Sequence, residues 1–154
     1  MLVNQRVLRI EWGQCDPAGI VFYPQYFTIF DTSTGWLFER TGLSPSVMRR
    51  KYAIVGLPIV DVGAKFFLAC RFDDEIIVES SVSEWGRSSF TVRHQIRKER
   101  ELAVEGFEKR VWAAPHPDRP GGIQAQPVPE EIIASLSDPT GSKRLTLGDA
   151  AEKS

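Results

Sequence analysis

The stretch CDPAGIVFYPQYFTIFDTSTGWLFERT, residues 15–41, places a tight turn directly before a helix. Asp16-Pro17 followed by Gly19 is turn chemistry. From residue 24 the spacing becomes helical and stays so to residue 41. Pro24 suits the first helical turn, where its missing N–H costs nothing. Phe27, Phe30, Thr34, Leu37 and Phe38 recur on one side as an apolar stripe. At ~100° per residue Asp31 falls ~40° from Phe27 and ~20° from Phe38, and is expected inside that stripe. A carboxylate there calls for a partner or a ligand, because burying it alone is costly. Gly42 is a suitable helix stop.

Upstream, residues 6–12 alternate: Leu8, Ile10 and Trp12 on one face of a strand, Arg9 and Glu11 on the other. Downstream, Ser44-Pro45 can start a second short helix running through Arg49, Arg50 and Lys51. From residue 58 the period is two. Val60, Val62, Ala64, Phe66 and Leu68 alternate with Asp61, Gly63, Lys65 and Phe67. A turn at Phe72-Asp73-Asp74 leads into a strand over 75–84. After Trp85-Gly86, Phe90, Val92, His94 and Ile96 share one strand face. A charged turn, Lys98 to Glu101, precedes a last strand over 102–113. This order predicts an α+β domain, an antiparallel sheet on which the single long helix buries its stripe. The domain is expected to span residues 1–136, with a short helix near 129–136. Residues 137–154, small, polar and charged, read as a mobile tail.

The chain has 154 residues, 42% hydrophobic and 25% charged. That suffices for one domain with a core that needs no disulfide staples. Cys15 and Cys70 have no metal-like spacing and read as reduced thiols of a cytoplasmic protein. The first residues lack the apolar run of a signal peptide, and no run is long enough to span a bilayer. A net charge of −1 argues against a nucleic-acid partner. It leaves room for a polyanionic small ligand held by a few local arginines.

The chemistry concentrates in Cys15 to Phe27. A carboxylate stands in a loop just before a helix N-terminus, where unpaired N–H groups and the dipole could hold a developing oxyanion. Asp16 could then attack a carbonyl or activate water. On physics alone, the role of Asp16-Pro17 as a plain turn initiator is favoured.

The same stretch resembles the signature of the 4-hydroxybenzoyl-CoA thioesterase family, an Asp-Pro-x-Gly-x-x-x-(Tyr/Phe) loop leading into the long helix of a hotdog fold. GLPIVDVGAKF and RFDDEIIVESSVSEWGRSSFTVRH are similar to that family in order and spacing, so the resemblance covers about residues 6–113. It implies a five-stranded antiparallel sheet wrapped around one long helix. It also implies a homodimer or homotetramer with sites between subunits. By the same resemblance Asp16 is the catalytic carboxylate, and the Tyr23 backbone N–H polarises the thioester carbonyl. Gly19 allows close approach to the ligand. Asp31 binds a phenol hydroxyl of the acyl group, and Arg87 contacts CoA phosphates. Ser88 stands where close relatives have a basic residue, and Leu57 where they have a smaller polar one.

The expected activity is hydrolysis of a CoA thioester, with 4-hydroxybenzoyl-CoA or a related aryl-CoA as the leading substrate. A short-chain aliphatic acyl-CoA is the alternative. No metal and no cofactor is implied, because coenzyme A belongs to the substrate. Two other classes compete. A hotdog dehydratase needs a His paired with a carboxylate, and no His precedes His94. A non-catalytic acyl-CoA-binding protein could dispense with Asp16. His94 reads as a core residue, and His116 has no visible partner.

Overall fold

In a computed structural model, which describes residues 1–141, the chain forms a five-stranded antiparallel sheet in the order β1-β3-β4-β5-β2. The strands are β1 (Asn4–Arg9), β2 (Ile59–Phe66), β3 (Glu75–Trp85), β4 (Ser89–Lys98) and β5 (Glu101–Val111). The long helix α1 (Pro24–Arg40) lies across one face and packs on β1, β3 and β5. It ends where expected: Gly42 takes φ 88°, a left-handed conformation that glycine adopts without penalty. The Ser44 side chain caps α2 (Pro45–Tyr52) by accepting from the Val47 N–H.

The hotdog architecture is therefore as expected, with local differences. β1 stops at Arg9, and Trp12 does not join Leu8 and Ile10 on a strand face. Glu11 and Gln14 instead close a 3-10 turn over Trp12–Gln14, the Glu11 N–H donating to Gln14 Oε1 at 2.7 Å. Trp12 is left exposed, edge-on to Phe72. The last long strand ends at Val111 rather than 113. The Pro- and Gly-rich segment then folds back as a small hairpin of β6 (Ala113–Pro115) and β7 (Ile123–Ala125). α3 (Glu130–Ser137) closes that end, and the Leu2 N–H donates to Leu136 O. Thr140 and Gly141 bond back to Asp138, while residues 142–154 of the expected tail lie outside the described residues.

The inward face of the sheet is layered. Val82, Phe90, Val92 and Trp112 pack with Leu37, Phe38, α2 and α3 at one end. Ile76, Val78, Ile96 and Val104 pack with Tyr26, Ile29 and Phe30 at the other. Between these two apolar layers Ser80, His94 and Glu108 sit opposite Thr34, all of them buried. β2 is different again. A bulge between Ile59 and Asp61 interrupts its register with β5. Ile59, Val60, Val62 and Phe66 are each more than 40% exposed, so this edge strand carries an uncovered apolar face.

Candidate active site

The Asp16 loop is built by backbone hydrogen bonds. Cys15 and Val21 form an antiparallel bridge, and Ile20 bridges to Arg71. Within that clasp the Asp16 N–H donates to Ile20 O, and the Gly19 N–H donates to Asp16 O, both at 2.9 Å. Asp16 Oδ1 accepts from the Ala18 N–H at 2.8 Å, so its turn-forming role is real. That bond uses one carboxylate oxygen; Oδ2 has no hydrogen bond among the described residues. Gly19 takes φ 78°, which a side chain would strain.

The helix start does not offer a row of free donors. The Val21 N–H goes to Cys70 O, that of Phe22 to Gln14 O, that of Gln25 to Phe22 O and that of Tyr26 to Tyr23 O. Pro24 has none. From Val21 to Tyr26 the N–H of Tyr23 alone lacks a partner among the described residues. One unspent donor at the positive end of a 17-residue helix is a place for a carbonyl oxygen to gain negative charge. Beside it a cleft of about 260 Å³ is lined by Ile20, Tyr23, Tyr26, Phe66, Leu68 and Cys70. Burial raises the Cys70 thiol above its ordinary range, so this cysteine lines the cleft as an inert group.

Asp31 departs from the expectation. It is not inside the apolar stripe, for its side chain is 65% exposed. Tyr26, Ile29 and Ser33 are also buried, which swings the covered arc of α1 away from it. Its partner is a side chain from β5. Arg110 Nη2 donates to Asp31 Oδ1 at 2.6 Å. The same guanidinium reaches Glu108 through Nε and Nη2, at 3.0 and 2.9 Å, and Leu57 O through Nη1 at 2.9 Å. Glu108 Oε2 also accepts from Thr34 Oγ1 at 2.6 Å and lies 3.3 Å from His94 Nε2. His94 Nδ1 is 2.8 Å from Ser80 Oγ, and its ring stacks on Phe30. His94 is thus the core residue expected, and its neighbours are all occupied. Burial pushes the Glu108 carboxyl upward, but hydrogen bonds from His94, Arg110 and Thr34 outweigh it and hold the group at about 2.

Sequence reading missed Glu108, Arg110 and Ser80. A signal was available: Glu108 and Arg110 share a strand face with Val104 and Gly106, so a charged pair had to point inward. Arg87 is exposed in the turn after β3, with no side-chain partner among the described residues. It does not meet the Asp16 loop within one chain. The loop adjoins the start of β3, and Arg87 follows its end, eleven strand residues later, roughly 30 Å away. Among the described residues no group of three His, Cys, Asp or Glu side chains could hold a metal ion, and no helix is long and apolar enough to cross a membrane.

Comparison with known proteins points one way. The thioesterase-like superfamily profile matches residues 10–136. A 4-hydroxybenzoyl-CoA thioesterase from Pseudomonas sp. (strain CBS-3) is 36% identical over 137 residues, spanning 84% of this chain and 94% of the relative. The three-dimensional structure of the 4-hydroxybenzoyl CoA thioesterase from that strain superposes with a TM-score of 0.79 at 33% identity, over 87% of this chain and 99% of that one. An Asp-to-Asn mutant of 4-hydroxybenzoyl CoA thioesterase, complexed with 4-hydroxybenzoyl CoA, gives 0.79 at 34% identity, over 89% and 100%. A gentisyl-coenzyme A thioesterase gives 0.73 at 28% identity, over 85% and 99%.

Proposed function

The chain belongs to the thioesterase-like superfamily and to its 4-hydroxybenzoyl-CoA thioesterase family, and on that premise we propose that it hydrolyses 4-hydroxybenzoyl-CoA or a closely related hydroxyaryl-CoA. It is an acyl-CoA thioesterase by membership. The observation that carries the proposal is the single unspent N–H of Tyr23 next to the closed Asp16 loop. The Tyr23 N–H binds the thioester oxygen, and negative charge grows there as the carbonyl carbon is attacked. Asp16 supplies the attack, as a nucleophile forming a mixed anhydride or as a base that takes a proton from water. In either route coenzyme A leaves as the thiolate. That a relative's Asp-to-Asn mutant was complexed with 4-hydroxybenzoyl CoA supports a carboxylate as a working group in this family. A single turnover in heavy-oxygen water separates the routes. Label in Asp16 indicates the nucleophile; label confined to the acid product, with no anhydride trapped by hydroxylamine, indicates the base.

The site is shared between two copies of the chain. The apolar outer edge of β2, unpaired among the described residues, supports a dimer in which two β2 strands pair about a two-fold axis. β2 begins at the Arg87 end of the sheet and ends beside the cleft lined by Tyr23 and Phe66. Antiparallel pairing would therefore bring Arg87 and Asp31 of one copy toward the Asp16 loop of the other. Arg87 then serves a CoA phosphate, Asp31 the aryl hydroxyl and Gly19 the close approach of the thioester. Pairs of such dimers make the tetramer, and the enzyme works in the cytoplasm without a cofactor.

Thiol release from a panel of CoA esters tests the substrate. The expected order is 4-hydroxybenzoyl-CoA, then benzoyl-CoA, then short aliphatic esters. Asp31→Ala should lose most of the first preference while retaining some benzoyl-CoA hydrolysis. An aliphatic ester at the head of the panel would replace the hydroxyaryl reading.

A further inference from the structure

We infer that Arg110 is a positioning residue for substrate recognition, holding Asp31 by one carboxylate oxygen so that the other accepts a hydrogen bond from an aryl hydroxyl. This rests on the hydroxyaryl reading above. A carboxylate on an exposed helix flank ordinarily samples several rotamers, and fixing it for a ligand costs conformational entropy. Here that cost is met on folding. Arg110 is only 8% exposed, and its guanidinium is held from behind by both oxygens of Glu108 and by Leu57 O. Glu108 is held in turn by Thr34, with His94 and Ser80 beyond it. The clamp on Asp31 thus reaches through the middle layer of the core to β3.

The charge arrangement has a direction. Glu108 is fully buried and takes the paired contact with Arg110. Asp31 takes a single bond from Nη2, and its Oδ2 has no hydrogen bond among the described residues. Two carboxylates share one guanidinium, so the excess negative charge lies at the open end. A ligand that brings an O–H donor satisfies it; benzoyl-CoA has no such donor. Lysine cannot reproduce this arrangement, because a point ammonium does not present a planar fork to both carboxylates at once.

The test measures kcat/KM for 4-hydroxybenzoyl-CoA and for benzoyl-CoA, with thermal unfolding, in wild type and two variants. Arg110→Lys keeps a buried positive charge for Glu108 but loses the fork. The paired variant Glu108→Gln with Arg110→Met removes both buried charges together and serves if the lysine variant does not fold. In the folded variant the preference for the hydroxylated ester should fall at least about tenfold, because the recognising carboxylate is no longer fixed. A purely structural role would lower the unfolding temperature and both kcat/KM values together, leaving their ratio unchanged. That result overturns the positioning role and leaves the hydroxyaryl reading standing. A wild-type ratio near one overturns the hydroxyaryl reading, and this inference with it.

Discussion

The Asp16 loop and the Glu108 network hold carboxylates by opposite means. Asp16 is held by its own backbone neighbours within a few residues, half-buried, with one oxygen unspent. Glu108 is held by side chains from α1, β4 and β5, fully buried, with both oxygens engaged. An oxygen left without a partner, in a loop whose Ile20 lines a cleft, is available for chemistry. An oxygen tied to several donors in the core is a brace. Two groups of the same chemical type therefore receive different work from their surroundings, and substitution at each should fail differently.

The largest expected effect is on the brace. Glu108→Ala leaves Arg110 buried beside a vacated site, a change worth about 3–5 kcal/mol. Denaturant unfolding should show that loss, and a loss under about 1 kcal/mol would mean that water or Asp31 compensates readily. Next comes Asp16→Asn. It keeps the shape and should lower turnover at least about a hundredfold, the low end of a general-base contribution, with the unfolding midpoint close to wild type. Near-normal turnover would remove Asp16 from the chemistry and make the two carboxylates alike.

Acid sharpens the same contrast. Glu108 is held at about 2 in the folded chain against an ordinary 4.5. A depressed carboxyl contributes stability that is fully present above the unfolded value and is lost as pH falls toward the folded one. The contribution is roughly 3 kcal/mol. Wild type should therefore lose stability steeply between about pH 5 and pH 2, and Glu108→Gln should flatten that part of the profile. A profile unchanged by the substitution would show that other carboxylates carry the acid response. The smallest effect is at Arg87. Arg87→Ala should raise KM several-fold with kcat nearly kept, because phosphate contact is largely uniform binding. A truncated thioester without the nucleotide should be indifferent to it, and equal losses on both substrates would indicate a structural turn residue instead.

The contrast also explains what could be read from the sequence. Asp16-Pro17, Gly19 and Pro24 act on near neighbours, so their spacing announces both the loop and the helix. The strands from β2 to β5 follow the same logic, alternation and short turns being local properties. Arg110 meets Asp31 across 79 positions, and Thr34 meets Glu108 across 74. Only the folded sheet brings them together. Asp31 is expected inside the stripe because it lies only ~20° from Phe38 on the wheel, but the buried Tyr26, Ile29 and Ser33 extend the covered arc on the opposite side. Two of them carry hydroxyls and yet are buried against the sheet. Trp12 was misplaced because the Glu11–Gln14 capping pair ended the alternation early.

Gly106 lies where the ring of Phe30 rests on the sheet, and a Cβ at that position would overlap the ring. Phe30 in turn stacks on His94. The three positions therefore cannot drift independently. Any side chain at 106 requires a smaller residue at 30 first, and a smaller residue at 30 uncovers the imidazole before anything is gained. Each single step from the present combination goes downhill, although a distant combination with a small residue at 30 and a larger one at 106 could pack as well. For directed evolution this layer is an isolated peak. Libraries that vary one position at a time will return the parent, and only simultaneous variation at 30, 94 and 106 can reach a different core packing on the same sheet.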